Sequence, residues 1–368
     1  MAQGPLPSYW DYLRLEELLS LQGGLEGDDQ ALLPDELHFV VVHQVFELWF
    51  KLVLRELRLA RDHLAEPRVP EERIPYVVHH LSRVNRILRL GVDQFEIMET
   101  LTPQDFLAFR DKLVPASGFQ SFQMRELELL LGLRESERVS EGGLQPLRVF
   151  EREAPRSPGA RKAWERIQKA RQETTLKAAL EGWLYRTPID GSTPDDPGDE
   201  AAVAAFTEGY LQALERRHEE QLQRFTGIPG ADPGSTSALL EHDRATWRAF
   251  LFAEDVPPAE RARTRRVRAG IVFVESYRQL PLLAWPRLLL DAVVELEENL
   301  VLWRTRHARM VERVIGRRIG TGGSSGVDYL DATARVRIFG ELWTVRTILL
   351  PREALPPLQR TEAYGFQR

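Results

Sequence analysis

An all-α fold is predicted by three observations. Apolar residues recur at three- and four-residue spacing through most of the chain, two-residue alternation is scarce, and the periodic stretches are bounded by Pro, Gly and Asp clusters. The periodicity places helices over 35–64, 71–100, 103–113, 118–132, 160–184, 200–226, 237–252, 260–281 and 286–318. The first lies between Pro34 and Pro67, and the second between Pro70 and Pro103. The third opens at Pro103 and stops before Pro115, and the fourth runs from Gly118 to Gly132. Pro158 and Gly159 precede the fifth, and Pro188 follows it. "RTPIDGSTPDDPGDE" (186–200) and "TGIPGADPGSTS" (226–237) read as surface loops around an inserted helix, the sixth, with the seventh beyond them. Pro257 and Pro258 introduce the eighth, Pro281 closes it, and Pro286 opens the ninth, which ends before Gly320. "RVRIFGELWTVRTILL" (335–350) fits both a strand and a helix pattern and is assigned to helix. No repeat at a fixed period is present. The chain reads as one bundle-like helical domain over 1–368, with an inserted region at 186–260 and an irregular tail at 351–368.

Composition narrows the chemistry. With 43% hydrophobic and 28% charged residues the chain has a globular make-up, and 368 residues suffice for a sizeable core. A net charge of −6 and a pI near 5.9 argue against a nucleic-acid binder. The absence of cysteine rules out disulfides, thiolate nucleophiles, iron–sulfur clusters and cysteine-bound zinc, and a reducing compartment is the simplest setting. "MAQGPLPSYWDYLRL" has neither a basic start nor an apolar signal core, and no apolar run is expected to reach the ~20 residues of a membrane helix. A cytoplasmic protein without a membrane or nucleic-acid partner is expected.

Of the eight histidines, at 38, 43, 63, 79, 80, 218, 242 and 307, most sit in ordinary surroundings. Glu215 and His218 form one E-x-x-H pair, but di-iron bundles need two. H-E-x-x-H is absent. His43 differs, because "FVVVHQVFELWF" (39–50) surrounds it with apolar residues. At ~100° per residue Phe39, Val42, Phe46 and Phe50 share its side, and Val41, Val45 and Trp49 cover much of the rest. The helix is therefore expected to be deeply buried and His43 to be neutral, with a ring nitrogen facing a cavity or a partner. His307 repeats the pattern within Leu300, Trp303, Met310, Val311 and Val314, flanked by Arg304, Arg306, Arg309, Arg313, Arg317 and Arg318. A neutral imidazole in an apolar wall beside guanidinium groups suits a haem, the nitrogen on iron and arginines near the propionates; a core histidine on a solvated basic helix is the bland alternative. "GTGGSSG" (320–326) follows that helix, lacks the Walker ending, and reads as a lid over a small polar ligand.

Three separated motifs then agree. "DELHFVVVHQVFELWFK" (35–51), "METLTPQDFLAFRDKLVPASGFQS" (98–121) and "WRTRHARMVERVIGRRIGTGGSSG" (303–326) together resemble the tryptophan 2,3-dioxygenase family, as does the opening "YWDYLRLEELLSLQ" (9–22). The resemblance extends over about 9–350, and "RTRRVRAGIVFVESYRQLPLL" (263–283) is similar to the extra region of longer members. It implies an all-α homotetramer with haem b between helices, opening the indole ring of L-tryptophan with O2 to give N-formyl-L-kynurenine. By position, His307 would ligate the haem iron with Trp303 beside it, and His43 would be the distal residue at the indole N–H. Arg110 would pair with the substrate carboxylate, the geometry a guanidinium fork suits. Thr321 would contact the substrate ammonium and a propionate, and Phe39, Phe106 and Phe109 would line the indole pocket. Tyr9, Tyr12 and Leu13 would reach into a neighbouring subunit's site. Some relatives carry Tyr at the position of Phe106, so one polar contact is lost here.

Two other readings share part of this pattern. A related haem oxygenase could place one oxygen atom on a substituted tryptophan or another aromatic amino acid, and only pocket shape separates it from the dioxygenase. A non-catalytic haem sensor would be expected to lack Arg110 or the glycine-rich loop, and both are present.

Overall fold

Breakers and caps cut the apolar periodicity into helices. The structure, a computed structural model, describes residues 8–114, 118–140, 146–225, 233–320 and 325–365. Its helices are α1 (Tyr9–Leu13), α2 (Leu15–Leu19), α3 (Pro34–Ala65), α4 (Ile74–Met98) and α5 (Pro103–Phe109). They continue with α6 (Phe122–Leu131), α7 (Pro146–Glu153), α8 (Pro158–Gln172), α9 (Leu176–Arg186) and α10 (Asp199–Phe225). The last five are α11 (Pro233–Leu251), α12 (Arg261–Ser276), α13 (Ala284–Ile315), α14 (Val327–Ala334) and α15 (Gly340–Thr347). Among the described residues there is no strand, only an isolated bridge between Ile189 and Ser192. The fold class is all-α.

Local chemistry sets the ends. Thr102, Ser121, Ser157 and Thr175 each accept a backbone N–H from the first turn of α5, α6, α8 and α9. Gly132 ends α6 at φ 113°, a left-handed conformation that costs glycine little. The helix predicted over 160–184 is two helices, because Thr175 starts a new one after Glu173 has turned away to bind Arg58 and Arg61. Apolar spacing continues across that break, so periodicity alone does not reveal it. The 335–350 stretch is helical only over Gly340–Thr347, while α7 and α14 went unassigned as short helices without a long apolar stripe.

Packing stacks α13 along α4 and α4 along α3, with α9 and α6 against α3 and α14 against α13. Val53, Leu57, Leu81, Val84, Leu289 and Leu296 are fully buried between them. α3 is long and apolar enough to cross a membrane by length and composition, although Glu47 and Lys51 interrupt its apolar run. One side of it packs inward, while Val41, Leu48 and Leu52 are exposed. Burial all round, as the sequence predicts, is therefore corrected: one face of this helix has no cover among the described residues. Composition does not distinguish a helix enclosed by its own chain from one that needs something else against its second face.

Two tertiary links hold the C-terminal third. Tyr364 donates from its hydroxyl to the Pro188 carbonyl and accepts from the Gly191 N–H, so the irregular tail is nonetheless docked. Glu297 on α13, 2% exposed, accepts the backbone N–H groups of Ile338 and Phe339 and the indole N–H of Trp343. Glu297→Ala strands three buried donors and is expected to cost about 3 kcal/mol in urea unfolding, with Glu297→Gln costing less because it keeps one acceptor oxygen. Equal stability of Glu297→Ala and the parent chain would contradict this.

Candidate active site

Where α3, α4, α5, α6, α13 and α14 converge, they border a cavity of ≈ 270 Å³, just under the ~300 Å³ from which small-molecule sites usually start. His43 and His307 both line it, on helices separated by α4, which contributes Phe95 and Met98. Phe46, Phe50, Met124 and Trp303 complete an aromatic and thioether wall.

The His43 Nδ1 lies 2.8 Å from the Phe39 carbonyl oxygen. A carbonyl only accepts, so Nδ1 carries the hydrogen and Nε2 is left as an acceptor. The ring lies within the protein mass yet keeps accessible surface, because it borders the cavity. Burial lowers its pKa, against smaller opposing pulls from the Phe39 carbonyl and Glu47, so His43 is neutral at pH 7.

His307 is half-buried, with its ring 5.6 Å from Phe95 at 19° and 5.2 Å from Trp303. Burial, followed by the fields of His43 and Arg125, pulls its pKa down to about 4. Among the described residues none is hydrogen-bonded to its ring. Trp303 stands edge-on to Phe46, with its Nε1 buried and without a hydrogen-bond partner. Gly91 on α4 keeps that contact close: a Cβ there would lie 3.4 Å from both Phe46 and Trp303.

Arg110 follows α5 and donates from Nη2 to the Ile319 carbonyl at 2.7 Å, while its Nε is buried without a partner. No carboxylate among the described residues pairs with it. Phe106 lines the cavity beside it. Phe109, 1% exposed, and Phe39 stand behind the wall, Phe39 stacking 4.0 Å from His43 and Phe109 5.3 Å from Phe106. They pack against His43 and Phe106, the two residues that border the cavity there. Tyr9, Tyr12 and Leu13 are exposed on α1 and do not line this cavity. Thr321 lies outside the described residues.

Of the six arginines flanking His307, only Arg304 lines the cavity. Arg306 and Arg313 pair with Glu99, Arg309 with Glu312 and Asp331, and Arg317 with Asp328. Arg125, Glu128 and Tyr329 also line it, and sequence reasoning missed them. Their segments carry no histidine to draw notice, and on α6 the charged residues read as the solvated face beside its apolar stripe. Glu47 is held by donors from Ser121 Oγ at 2.7 Å and Gln123 Nε2 at 2.8 Å. Glu215 is paired with Arg244, and no cluster of three histidines or carboxylates fit for a metal occurs among the described residues.

The comparisons with known proteins decide what this arrangement belongs to. The profile of the tryptophan 2,3-dioxygenase family matches residues 3–349. The chain belongs to the tryptophan 2,3-dioxygenase family. It is 46% identical over 98% of its length to a tryptophan 2,3-dioxygenase of Sorangium cellulosum, 87% of which is covered. It is 47% identical, again over 98%, to tryptophan 2,3-dioxygenase 2 of Ralstonia nicotianae, covering 97% of that protein. A tryptophan 2,3-dioxygenase-like protein of Xanthomonas campestris is 47% identical over 72% of this chain and 98% of its own.

Tryptophan 2,3-dioxygenases are haem-dependent. The cavity suits such a group by its donor chemistry. His307 keeps a neutral imidazole free of described partners, the surrounding walls are aromatic and thioether side chains, and buried guanidinium groups border them.

Proposed function

We propose that this chain is a haem-dependent dioxygenase that inserts O2 across the indole C2–C3 bond of L-tryptophan, the first step of tryptophan degradation. Family membership over almost the whole chain supports the reaction. The observation that carries the site is one cavity bordered by two neutral histidines and an arginine without a described carboxylate partner.

In this reading His307 would hold haem b through a ring nitrogen, with Trp303 packed beside the His307 ring. The haem would supply ferrous iron to bind and activate O2. Arg110 offers its unpartnered Nε and remaining donors to the substrate carboxylate. Thr321 takes the ammonium, and Phe106, supported by Phe39 and Phe109, faces the indole ring. His43 Nε2 accepts the indole N–H and so orients the ring; its Nδ1 hydrogen bond fixes that tautomer. Both oxygen atoms end in N-formyl-L-kynurenine, and no reductant is consumed per turnover.

The apolar residues exposed on α1, α2 and the outer face of α3 favour a homotetramer. Tyr9, Tyr12 and Leu13, which this chain's own cavity does not use, complete the neighbour's site. The chain is read as a single dioxygenase domain with its insertion at 186–260, acting in the cytoplasm without membrane or nucleic acid.

The experiment is single turnover of the ferrous haem-loaded protein with L-tryptophan and isotopically labelled O2. Two labelled atoms in formylkynurenine are expected; one labelled atom, or no product, overturns the reading. Because an orienting hydrogen bond contributes ~1–2 kcal/mol, His43→Ala is expected to lower kcat about 10-fold. Complete loss of turnover with unchanged tryptophan binding would contradict the orienting role.

A further inference from the structure

Arg110 stands on a single helical turn, Arg110–Leu113, that follows α5, and Lys112 is on the same turn. The Lys112 Nζ is 2.7 Å from a Glu26 carboxylate oxygen and 2.9 Å from one of Glu36. These are the turn's only ion pairs among the described residues. Glu36 lies in the first turn of α3 with its side chain 5% exposed, and Glu26 lies in the segment between α2 and α3. Hydrogen bonds to Glu26 and then to Glu36 raise the Lys112 pKa, and Lys112 in turn lowers that of Glu26, so this pair is charged at pH 7. The segment that presents Glu26 is itself fixed. Gly27 donates to the Gly23 carbonyl at 2.8 Å, and a Cβ on Gly23 would collide with the Gly27 backbone, so the turn is tightly closed. Just before it, Gln22 Nε2 donates to Gln44 Oε1 at 2.7 Å, and Gln44 Nε2 donates to the Leu21 carbonyl at 2.8 Å. Gln44 follows His43 on α3.

One short stretch, 21–26, is thus tied both beside His43 and beside Arg110. Exposed ion pairs add little to stability, and the Lys112 and Glu26 side chains are 38% and 31% exposed. What such a tie can fix is register. A guanidinium fork meets a carboxylate through two parallel hydrogen bonds, so the pairing is sensitive to where the fork sits. Arg110 Nη2 already holds the Ile319 carbonyl, and a shift of the turn that bears its backbone either breaks that bond or swings Nε aside. We propose that Lys112, held between Glu26 and Glu36, is a positioning residue that sets Arg110 for the substrate carboxylate. This role rests on Arg110 taking that carboxylate, as in the reading above. Lys112 does not border the cavity, so it acts on the substrate only through Arg110.

Haem-loaded protein is titrated with L-tryptophan and with tryptamine, which lacks the carboxylate, and binding is followed by the Soret band. Lys112→Met is expected to bind tryptophan about 5- to 10-fold more weakly, short of the ~100-fold that a misplacement of about 1 Å can cost. KM should rise with it while kcat at saturation stays within about twofold, the split expected of a residue that serves binding. Tryptamine affinity should be unchanged. Lys112→Arg, which keeps a charge between the two carboxylates, should recover most of the loss, and Glu26→Gln should show a smaller loss of the same kind. In an Arg110→Leu background, Lys112→Met should add nothing, since the two residues act through one contact. The role is overturned if Lys112→Met binds tryptophan as the parent does, if tryptamine affinity falls equally, or if the losses from Lys112→Met and Arg110→Leu add. If Arg110→Leu alone leaves tryptophan affinity unchanged, the carboxylate reading fails and this role with it. If circular dichroism shows Lys112→Met unfolded, Glu26→Gln, which leaves the Lys112–Glu36 pair in place, decides by the same comparison of the two ligands.

Discussion

His307→Ala is expected to bind haem at least ~100-fold more weakly than the parent chain and to show no turnover, since losing the ligand itself exceeds the 10–100-fold cost of disturbing a ligand's support. The argument is electronic and geometric together. His307 presents a neutral imidazole to the cavity because burial holds its pKa near 4, so at pH 7 no proton competes for the lone pair. No described residue occupies the ring, and Phe95 and Trp303 fix its plane. His43 offers a lone pair too, but it lies under Phe39 and its Nδ1 is tied to the chain. His43→Ala should therefore keep the Soret band that His307→Ala loses. The reverse pattern would exchange the two roles. Exogenous imidazole filling the shortened side chain's space is expected to restore part of the haem binding to His307→Ala.

Arg110→Leu is expected to weaken tryptophan binding by about 2–4 kcal/mol, some 30- to 1,000-fold, with a smaller fall in kcat. Its guanidinium already spends one donor on Ile319, which anchors it, and keeps a buried Nε without a partner. A carboxylate arriving there gains charge-assisted hydrogen bonds that water no longer contests. Arg110→Lys should recover only part of the affinity, because a point charge replaces a planar fork. Tryptamine, which lacks the carboxylate, supplies the internal check. Its affinity should be nearly the same with Arg110 or Leu at this position, and a parallel loss for both ligands would mean that the substitution disturbed the cavity itself.

The helical class and the long helices α3, α4, α10 and α13 were legible because their residues repeat an apolar stripe over many turns. Breaks that keep the stripe in phase, such as the one at Glu173–Thr175, were not, since a cap is one side chain deep. The histidines stood out for a related reason: an ionisable ring amid Phe39, Val42 and Phe46, or amid Trp303 and Met310, conflicts with its surroundings. Arg125 and Glu128 occur in "FQMRELELLL", where charged residues look like an ordinary solvated face. Only the fold reveals that this face is turned inward.

By itself the sequence determined the helical class, the exclusion of cysteine chemistry, two buried-type histidines on separate stripes, and a resemblance strong enough to name the family. Each of these depends on residue type and local spacing, which a linear text preserves. The tertiary structure decided that His43 and His307 share one cavity, that Arg304 alone of its six-arginine neighbourhood faces it, and that Phe39 and Phe109 stand behind its wall. It also decided that, among the described residues, Val41, Leu48 and Leu52 of α3 stay exposed. Those outcomes depend on how α3, α4, α6 and α13 rotate about their own axes as they pack. A helix turns ~100° per residue, so a small change in its rotation exchanges which side chains meet, and no local pattern records it.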